Sequence, residues 1–544
     1  MMKNFITIFE ASMRRCWEQP ALNDFRQEPI TYGELATQIV TLHRLWREAG
    51  LQPGDKITIQ AASTSEWIKL FMATISGGYV AVPLLSGYLP SDSQRLIDHS
   101  ESRLLYTDRV AFEKMDFEAM PRLIAAIDLR SGDLLAVRGD FEAYYQRRAQ
   151  FRPTNFTPAD LAFAPRATEE LCVINYTSGS TGNPKGVMLT VGNFSDQVTA
   201  LQPRLPFTAG KGYLSILPLA HIFGLTVDGI MPLCSGMHLT ILAAMPIPST
   251  VRAALREVQP EMFFAVPLVI NKLTDCTIGE FIRSKSGAER LAAYTEHPDF
   301  CEALATIFLS AFGKQCRMIY TGGAAIPSDV EQLLAQKLQI PFMTGYGMTE
   351  CTPVISLGLQ GEYKLRSCGR ILPSYEYRIN SSDPERLAGE LLVKGPSVFA
   401  GYYKNPEATA AAFTEDGFFR TGDLAVMDRE GHLFLVGRCK SMLLSTNGQN
   451  IFPEEIEVIL NTLPYVAESI IVQRKHNLVA LIVPNQDQVV ADHLNAETLH
   501  DILSRNLEEL NRRLPAYAHV GKFELCTEPF AKTPKGSIKR FLYQ

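Results

Sequence analysis

The run Tyr176-Thr177-Ser178-Gly179-Ser180-Thr181-Gly182-Asn183-Pro184-Lys185-Gly186 crowds hydroxyls, glycines and one cation into a single stretch. Glycines let backbone N–H groups turn toward an anion with no side chain in the way. The hydroxyls of Thr177, Ser178, Ser180 and Thr181 add donors, and Lys185 adds a mobile positive charge. Together these suit a polyphosphate. The run is not a Walker A loop, which needs Gly-Lys-Ser/Thr after four variable residues; here Asn183 follows Gly182. A second run, Gly345-Tyr346-Gly347-Met348-Thr349-Glu350, complements the first. Tyr346 offers a flat face to a purine and Thr349 a hydroxyl to a phosphate. Glu350 offers a hard oxygen to Mg²⁺, which takes one or two carboxylates beside phosphate oxygens and water. Taken alone, either run also reads as a plain turn.

Chemistry of this kind needs strands to aim the loops. Residues 172–176, 262–266 and 318–320 are strand-like and lead into Gly-rich loops or helices, the mark of α/β layers. The last leads through Gly322-Gly323 to Ser328-Asp329-Val330-Glu331. Ser328 with Glu331 is expected to form a capping box, ahead of Val330, Leu333, Leu334 and Leu338 at helical spacing. Ligands of α/β folds sit at such strand–loop–helix joints. After about Arg438 the texture changes to a helix opening at Pro453, strands at 469–472 and 478–483, a helix carrying Leu499, Leu503 and Leu510, and a strand at 522–525. That order suits a small α+β domain. The expected division is residues 1–436, a hinge at 437–441, and residues 442–544.

Composition narrows the class. A chain of 544 residues, 46% hydrophobic and 20% charged, can bury more than one core. The net charge of -6 gives no built-in pull toward nucleic acid, and no nucleic-acid partner is expected. Ten cysteines without a CxxC pair read as reduced thiols of a cytoplasmic protein. The N-terminus lacks the pattern of a signal peptide. The most apolar stretch, 213–227, contains Pro218 and His221 and is too short to span a bilayer. A peripheral contact with the inner face of a membrane is left open.

In this order the motifs resemble the acyl-adenylate-forming superfamily of acyl-CoA synthetases, peptide adenylation domains and firefly luciferase. The resemblance runs from Thr31-Tyr32-Gly33-Glu34-Leu35 to the lysine-rich segment 532–540. It implies a large N-terminal domain of several subdomains joined by a hinge to the small one, with ATP, Mg²⁺ and CoA as cofactors. Thr177, Ser178, Gly179, Ser180, Thr181, Gly182 and Lys185 then meet the phosphates, Thr181 and Lys185 in catalytic roles. Gly322, Gly323 and Ala324 line the adenine. Tyr346, Gly347, Met348 and Thr349 surround the nucleotide, and Glu350 holds the metal. Thr421-Gly422-Asp423 looks like the ribose motif, shared with Arg438. Lys440 falls at the hinge, and Gly448 matches a glycine that meets pantetheine after the small domain turns. In the last motif the family's adenylation lysine follows the glycine, whereas this chain has Ser537 there, between Lys535 and Lys539. Lys535 is the expected replacement.

On the acid side, Pro218-Leu219-Ala220-His221-Ile222-Phe223-Gly224 resembles the pocket-lining segment, with His221 placed to gate the carboxylate. No Asp adjoins it to hold an α-ammonium, as peptide-type enzymes have. Residues 271–317 resemble the extra helical segment of longer-chain synthetases. A medium- or long-chain fatty acid is therefore the expected substrate and CoA the acceptor. An acyl carrier protein as acceptor, a luciferase-like oxygenase and a non-catalytic nucleotide binder are the alternatives.

Overall fold

The protein is seen here as a computed structural model that describes residues 3–178, 184–444, 450–474, 477–532 and 538–543. The helix Tyr32–Glu48 shows how local sequence starts an element. Thr31 Oγ1 accepts from Glu34 N at 3.2 Å, and Glu34 Oε2 accepts from Thr31 N at 2.8 Å, a reciprocal cap. Gly33 leaves room for the Trp17 indole, whose nearest atom would lie 2.7 Å from an added Cβ.

Among the described residues, four sheets make the large N-terminal part. An eight-stranded sheet runs Gly401–Tyr402, Pro184–Thr190, Leu171–Ser178, Val80–Leu84, Lys56–Gln60, Ser102–Thr107, Ala125–Asp128, Leu134–Val137. Its central strands are parallel and buried along almost their whole length, as helix-covered parallel strands are. A five-stranded sheet runs Met262–Ala265, Met318–Thr321, Phe342–Gly347, Val354–Leu357, Arg370–Ile371, its first three strands parallel. The C-terminal ends of those three therefore share one edge. A four-stranded sheet joins Gly212–Ser215, His238–Ile241, Pro20–Asp24 and Ile30–Thr31. An antiparallel sheet joins Glu376–Asn380, Gly389–Lys394, Phe419–Met427 and Leu433–Arg438. The smaller C-terminal part has a three-stranded sheet, Val466–Arg474, Asn477–Pro484 and Val520–Leu525, covered by helices Pro453–Leu460 and Ala496–Arg513.

This is the expected α/β plan with a smaller α+β part. The buried apolar clusters divide with it. The cluster that includes Leu433 and carries Leu435 on its flank ends there, and the next begins with Leu443 and Ile451. The expected helical segment forms as Pro267–Arg283, Lys285–Ala292 and Pro298–Ser310. Phe308 and Phe312 of its end are buried with Phe263 in a core of their own. Such rings contribute about 3–5 kcal/mol each against truncation.

One expectation fails. Ser328 is the first residue of a short helix whose N-cap is Pro327, and no side chain caps it. Glu331 is buried and accepts from Tyr363 Oη (2.7 Å) and Arg366 N (2.9 Å) instead. A carboxylate that caps a helix start keeps access to water, and here tertiary donors outcompete the local one. The helix then widens to a π-helical turn over Gln332–Lys337, still burying Leu333 and Leu334. No helix among the described residues is long and apolar enough to cross a membrane.

Candidate active site

Strands Leu171–Ser178 and Pro184–Thr190 form an antiparallel pair that places Thr177 opposite Lys185. Gly179, Ser180, Thr181 and Gly182 lie outside the described residues, and Ser178 is described only as the last residue of its strand. Lys185 Nζ sits 4.7 Å from the centroid of the Tyr402 ring. Tyr402 Oη in turn donates to Glu350 Oε1 at 3.0 Å. Two residues singled out in the sequence, Lys185 and Glu350, thus meet across a third that was not.

The run 345–350 is the hub. Gly345 O would lie 3.2 Å from a Cβ added at Gly322, with Phe223 Cζ at 3.6 Å. A Cβ at 322 would press on the Gly345 carbonyl and sit in ordinary contact with the Phe223 ring, so glycine eases the close passage of residues 322 and 345. Gly323 adopts φ +82, a conformation costly for any residue with a Cβ, and its Cβ position faces open space. Ala324 beside it is exposed. Tyr346 Oη donates to Asp423 Oδ2 at 2.6 Å, and Arg438 Nε lies 3.0 Å from Asp423 Oδ1. Asp423 is only 4% exposed. Burial raises its pKa against the opposing pull of Arg438 and Tyr346. Thr349 is buried, Met348 half-buried and Gly347 exposed.

The turn that carries Glu350 is held from outside. Gln197 Nε2 donates to Val354 O (3.0 Å), and its Oε1 accepts from Val354 N (3.1 Å). Glu350 O accepts from Phe399 N at 2.9 Å. Among the described residues, Tyr402 is the side chain that donates to the Glu350 carboxylate. Among the described residues Glu350 Oε2 accepts no side-chain hydrogen bond, and a carboxylate oxygen is the ligand type that Mg²⁺ takes. A second acidic group, Asp428 and Glu430 with His432, lies close enough to share an ion. There Lys364 Nζ, 2.5 Å from Asp428 Oδ2, already supplies the countercharge.

On the acid side, His221 is half-buried and its Nδ1 accepts from Phe223 N at 3.3 Å. The loop before it is fixed by Leu219 N donating to Ser63 Oγ (2.9 Å) and Asn175 Nδ2 donating to Ala220 O (3.0 Å). Asn175 belongs to the strand that feeds the phosphate loop, so the two loops share a support. Seven residues on, Asp228 is fully buried in a π-helical turn, Gly224–Ile230. It accepts from Tyr213 Oη (2.9 Å), Leu217 N (3.1 Å) and Ile216 N (3.2 Å). Burial outweighs these donors and pushes its carboxyl up to about 7.

That shift fixes a sign. An unfolded Asp titrates near about 3.9. The folded chain keeps this proton to higher pH, so the linked stabilisation is complete below the unfolded value. It is lost as pH rises through about 7. Asp228→Asn keeps the shape and cannot ionise. Its urea midpoint relative to the parent is expected to improve steadily from about pH 4 to about pH 7. A difference that stays constant across that series would contradict the assignment.

In the small part, the lysine-rich segment is anchored at its end. Arg540 is clasped by Glu457, which is buried. Burial pushes the Glu457 carboxyl up to about 7 against the attraction of Arg540. Lys440 is exposed, and Lys535, Ser537 and Gly448 lie outside the described residues. Arg366 of the large part lies 3.8 Å from Glu455 of the small one.

Sequence reasoning missed Tyr402, Gln197 and Asn175. Tyr402 alone left a trace, standing in Gly401-Tyr402-Tyr403-Lys404-Asn405-Pro406, where Asn405 caps the following helix through Ala408 N.

Comparison with known proteins adds to this geometry. A family model described as AMP-binding enzyme matches residues 9–403, and one described as AMP-binding enzyme C-terminal domain matches residues 440–543. The long-chain-fatty-acid–CoA ligase FadD15 of Mycobacterium bovis is 27% identical over 470 residues, covering 81% of this chain and 75% of its own. A feruloyl-CoA synthase of Amycolatopsis is 29% identical over 439 residues, covering 79% and 77%. Among solved structures, the anthranilate CoA ligase AuaEII in complex with anthranoyl-AMP superposes with a TM-score of 0.79 at 18% identity. The match covers 99% of this chain and 96% of that one.

Proposed function

This chain belongs to the AMP-binding enzyme family, and on that footing we propose that it is an AMP-forming acid–CoA ligase. A carboxylate oxygen attacks the α-phosphorus of ATP, the bond to pyrophosphate breaks, and an acyl-adenylate remains. The CoA thiolate then attacks the acyl carbon, and AMP leaves with one of the former carboxylate oxygens. The observation that carries this reading is the convergence on the run 345–350 of Gly322, Asp423 and, through Tyr402, Lys185.

Each residue then has a task. Lys185 and the loop before it balance the triphosphate, and Thr181 adds a hydroxyl there. Asp423, held by Tyr346 and Arg438, accepts from the ribose hydroxyls. Gly322 to Ala324 give the adenine a flat, open berth. Glu350 helps hold Mg²⁺; when bound, the ion supplies charge neutralisation at the phosphates, the kind of preorganised electrostatics that dominates such transfers. Lys535 brings a further positive charge for adenylation on the small domain.

The small domain turns about Lys440, within 437–441, to exchange Lys535 for the Gly448 face that meets pantetheine. Two observations support this. The buried apolar clusters divide between Leu435 and Leu443. The Arg366–Glu455 pair is long and largely exposed, and such pairs contribute only about 0–1 kcal/mol. A pair of that kind does not by itself lock the small domain in place.

The acid is proposed to be a medium- or long-chain fatty acid. Asp228, the nearest acid after His221, is fully occupied by three internal donors and is not offered to an ammonium group. Met245, Ile247 and Leu268 are exposed apolar residues just beyond the C-terminal ends of strands His238–Ile241 and Met262–Ala265. Leu268 shares the sheet edge with Gly322 and Gly347. Each buried methylene adds about 0.8 kcal/mol, so an alkyl tail binds without polar contacts.

The test is pyrophosphate release across acids of graded length, with and without CoA and with acyl carrier protein as the other acceptor. Turnover that rises from acetate to medium or long chains, with AMP and acyl-CoA as products, is expected. Turnover confined to aromatic or amino acids would overturn the fatty-acid assignment.

A further inference from the structure

We propose that Tyr402 is a positioning residue of the phosphate and metal site, its hydroxyl holding Glu350 so that one carboxylate oxygen faces a divalent cation and its ring seating the Lys185 ammonium. The proposal rests on the ATP-binding reading given above.

The geometry is direct on both sides of the ring. Tyr402 Oη donates to Glu350 Oε1 at 3.0 Å. Lys185 Nζ lies 4.7 Å from the ring centroid, within the reach of a cation over an aromatic face. A long lysine stem and a glutamate each have many rotamers, and the phenol restricts both at once. The hold on Lys185 is of the cation–aromatic kind, and an ammonium seated over the ring keeps N–H donors free to meet an arriving phosphate without leaving it.

The backbone under Tyr402 is fixed for this purpose. Residues Gly401 and Tyr402 pair with Met188 and Val187, on the strand that carries Lys185. Tyr403 N donates to Gly186 O at 2.7 Å, and Tyr402 N donates to Thr409 Oγ1 at 2.9 Å. On the outer side Tyr403 Oη donates to Glu101 Oε2 (3.1 Å), and Lys404 Nζ donates to His99 O (3.0 Å). The same chain segment also reaches the glutamate's main chain, because Phe399 N donates to Glu350 O at 2.9 Å. Strand, aromatic turn and glutamate turn are thus one braced unit.

The test uses the full chain as parent, Tyr402→Phe, Tyr402→Leu and Tyr403→Phe. Binding of Mn²⁺ in the presence of α,β-methylene-ATP is followed by electron paramagnetic resonance, and binding of the analogue alone is measured without divalent cation. Tyr402→Phe is expected to weaken Mn²⁺ binding about 10- to 100-fold, the scale of one hydrogen bond to a charged group, with metal-free analogue binding unchanged. Tyr402→Leu is expected to lose, in addition, about threefold in metal-free analogue binding, the scale of an exposed cation–aromatic contact. Tyr403→Phe, on the same turn but facing Glu101, is expected to change neither. Unchanged Mn²⁺ affinity in Tyr402→Phe, or an equal loss in Tyr403→Phe, would overturn the proposal. A parent that binds no nucleotide at all would instead overturn the ATP-binding reading beneath it.

Discussion

Glu350→Gln is expected to slow acid-dependent pyrophosphate release by about 10²- to 10³-fold, the usual cost of losing one preorganised electrostatic group, while the chain stays folded. The substitution is nearly isosteric. The amide oxygen still accepts from Tyr402, and the main-chain bond from Phe399 is untouched. Glu350 is half-buried at a turn and fills no core, so a stability change within about 0.5 kcal/mol is expected. What the variant loses is charge, and it places an amide N–H₂ in place of the second carboxylate oxygen. An N–H₂ repels a cation and cannot ligate it. Slowing of the adenylation step together with weakened Mg²⁺ dependence would follow. Full activity in a folded Glu350→Gln variant would remove this residue from the site.

Asp423→Asn is expected to weaken ATP binding roughly 10- to 100-fold. Hydrogen bonds to a charged group contribute about 1.5–3 kcal/mol, and about 1.4 kcal/mol is tenfold in affinity. The stability effect has the opposite character. Burial raises the Asp423 pKa even beside Arg438 and Tyr346. Burial thus disfavours the ionised form of this carboxyl in the folded chain, and a neutral amide carries no such cost. The variant should be as stable as the parent near neutrality, or more so, yet bind nucleotide worse. A purely structural aspartate would show the reverse, with lost stability and unchanged affinity. Calorimetric binding of ATP set beside the thermal midpoint separates the two.

Much of this was legible before any coordinates, and the misses have physical causes. The strand at 172–176 appears as Leu171–Ser178 because a run of apolar residues between turn signals has few other uses. The C-terminal helices follow their apolar spacing, with Ile456 and Leu460 buried on one and Leu499, Leu503 and Leu510 on the other. Ser328 and Glu331 obeyed the local rule for a cap and failed because two tertiary donors claim Glu331. The reciprocal cap that does form, Thr31 with Glu34, lay inside a motif noted only as part of the family resemblance.

The site shows the same limit. Glycines, hydroxyls and acids announce their chemistry by type, so the runs 176–186 and 345–350 could be singled out by reading, and Asp423 through the family resemblance. Tyr402 could not, because an aromatic residue beside another aromatic residue reads as core. Its role depends on a pairing between Gly401-Tyr402 and Met188-Val187, more than 200 residues apart in sequence. Gln197 is hidden for the same reason, since its amide matters only where Val354 passes it.

The most direct test of the adenylate chemistry follows an oxygen atom. With a fatty acid labelled with ¹⁸O in both carboxylate positions, plus Mg-ATP and CoA, an acyl-adenylate route sends one labelled oxygen into AMP and none into pyrophosphate. AMP carrying a single ¹⁸O is the predicted result. Label in inorganic phosphate with ADP as the other product, or AMP free of label, would contradict it.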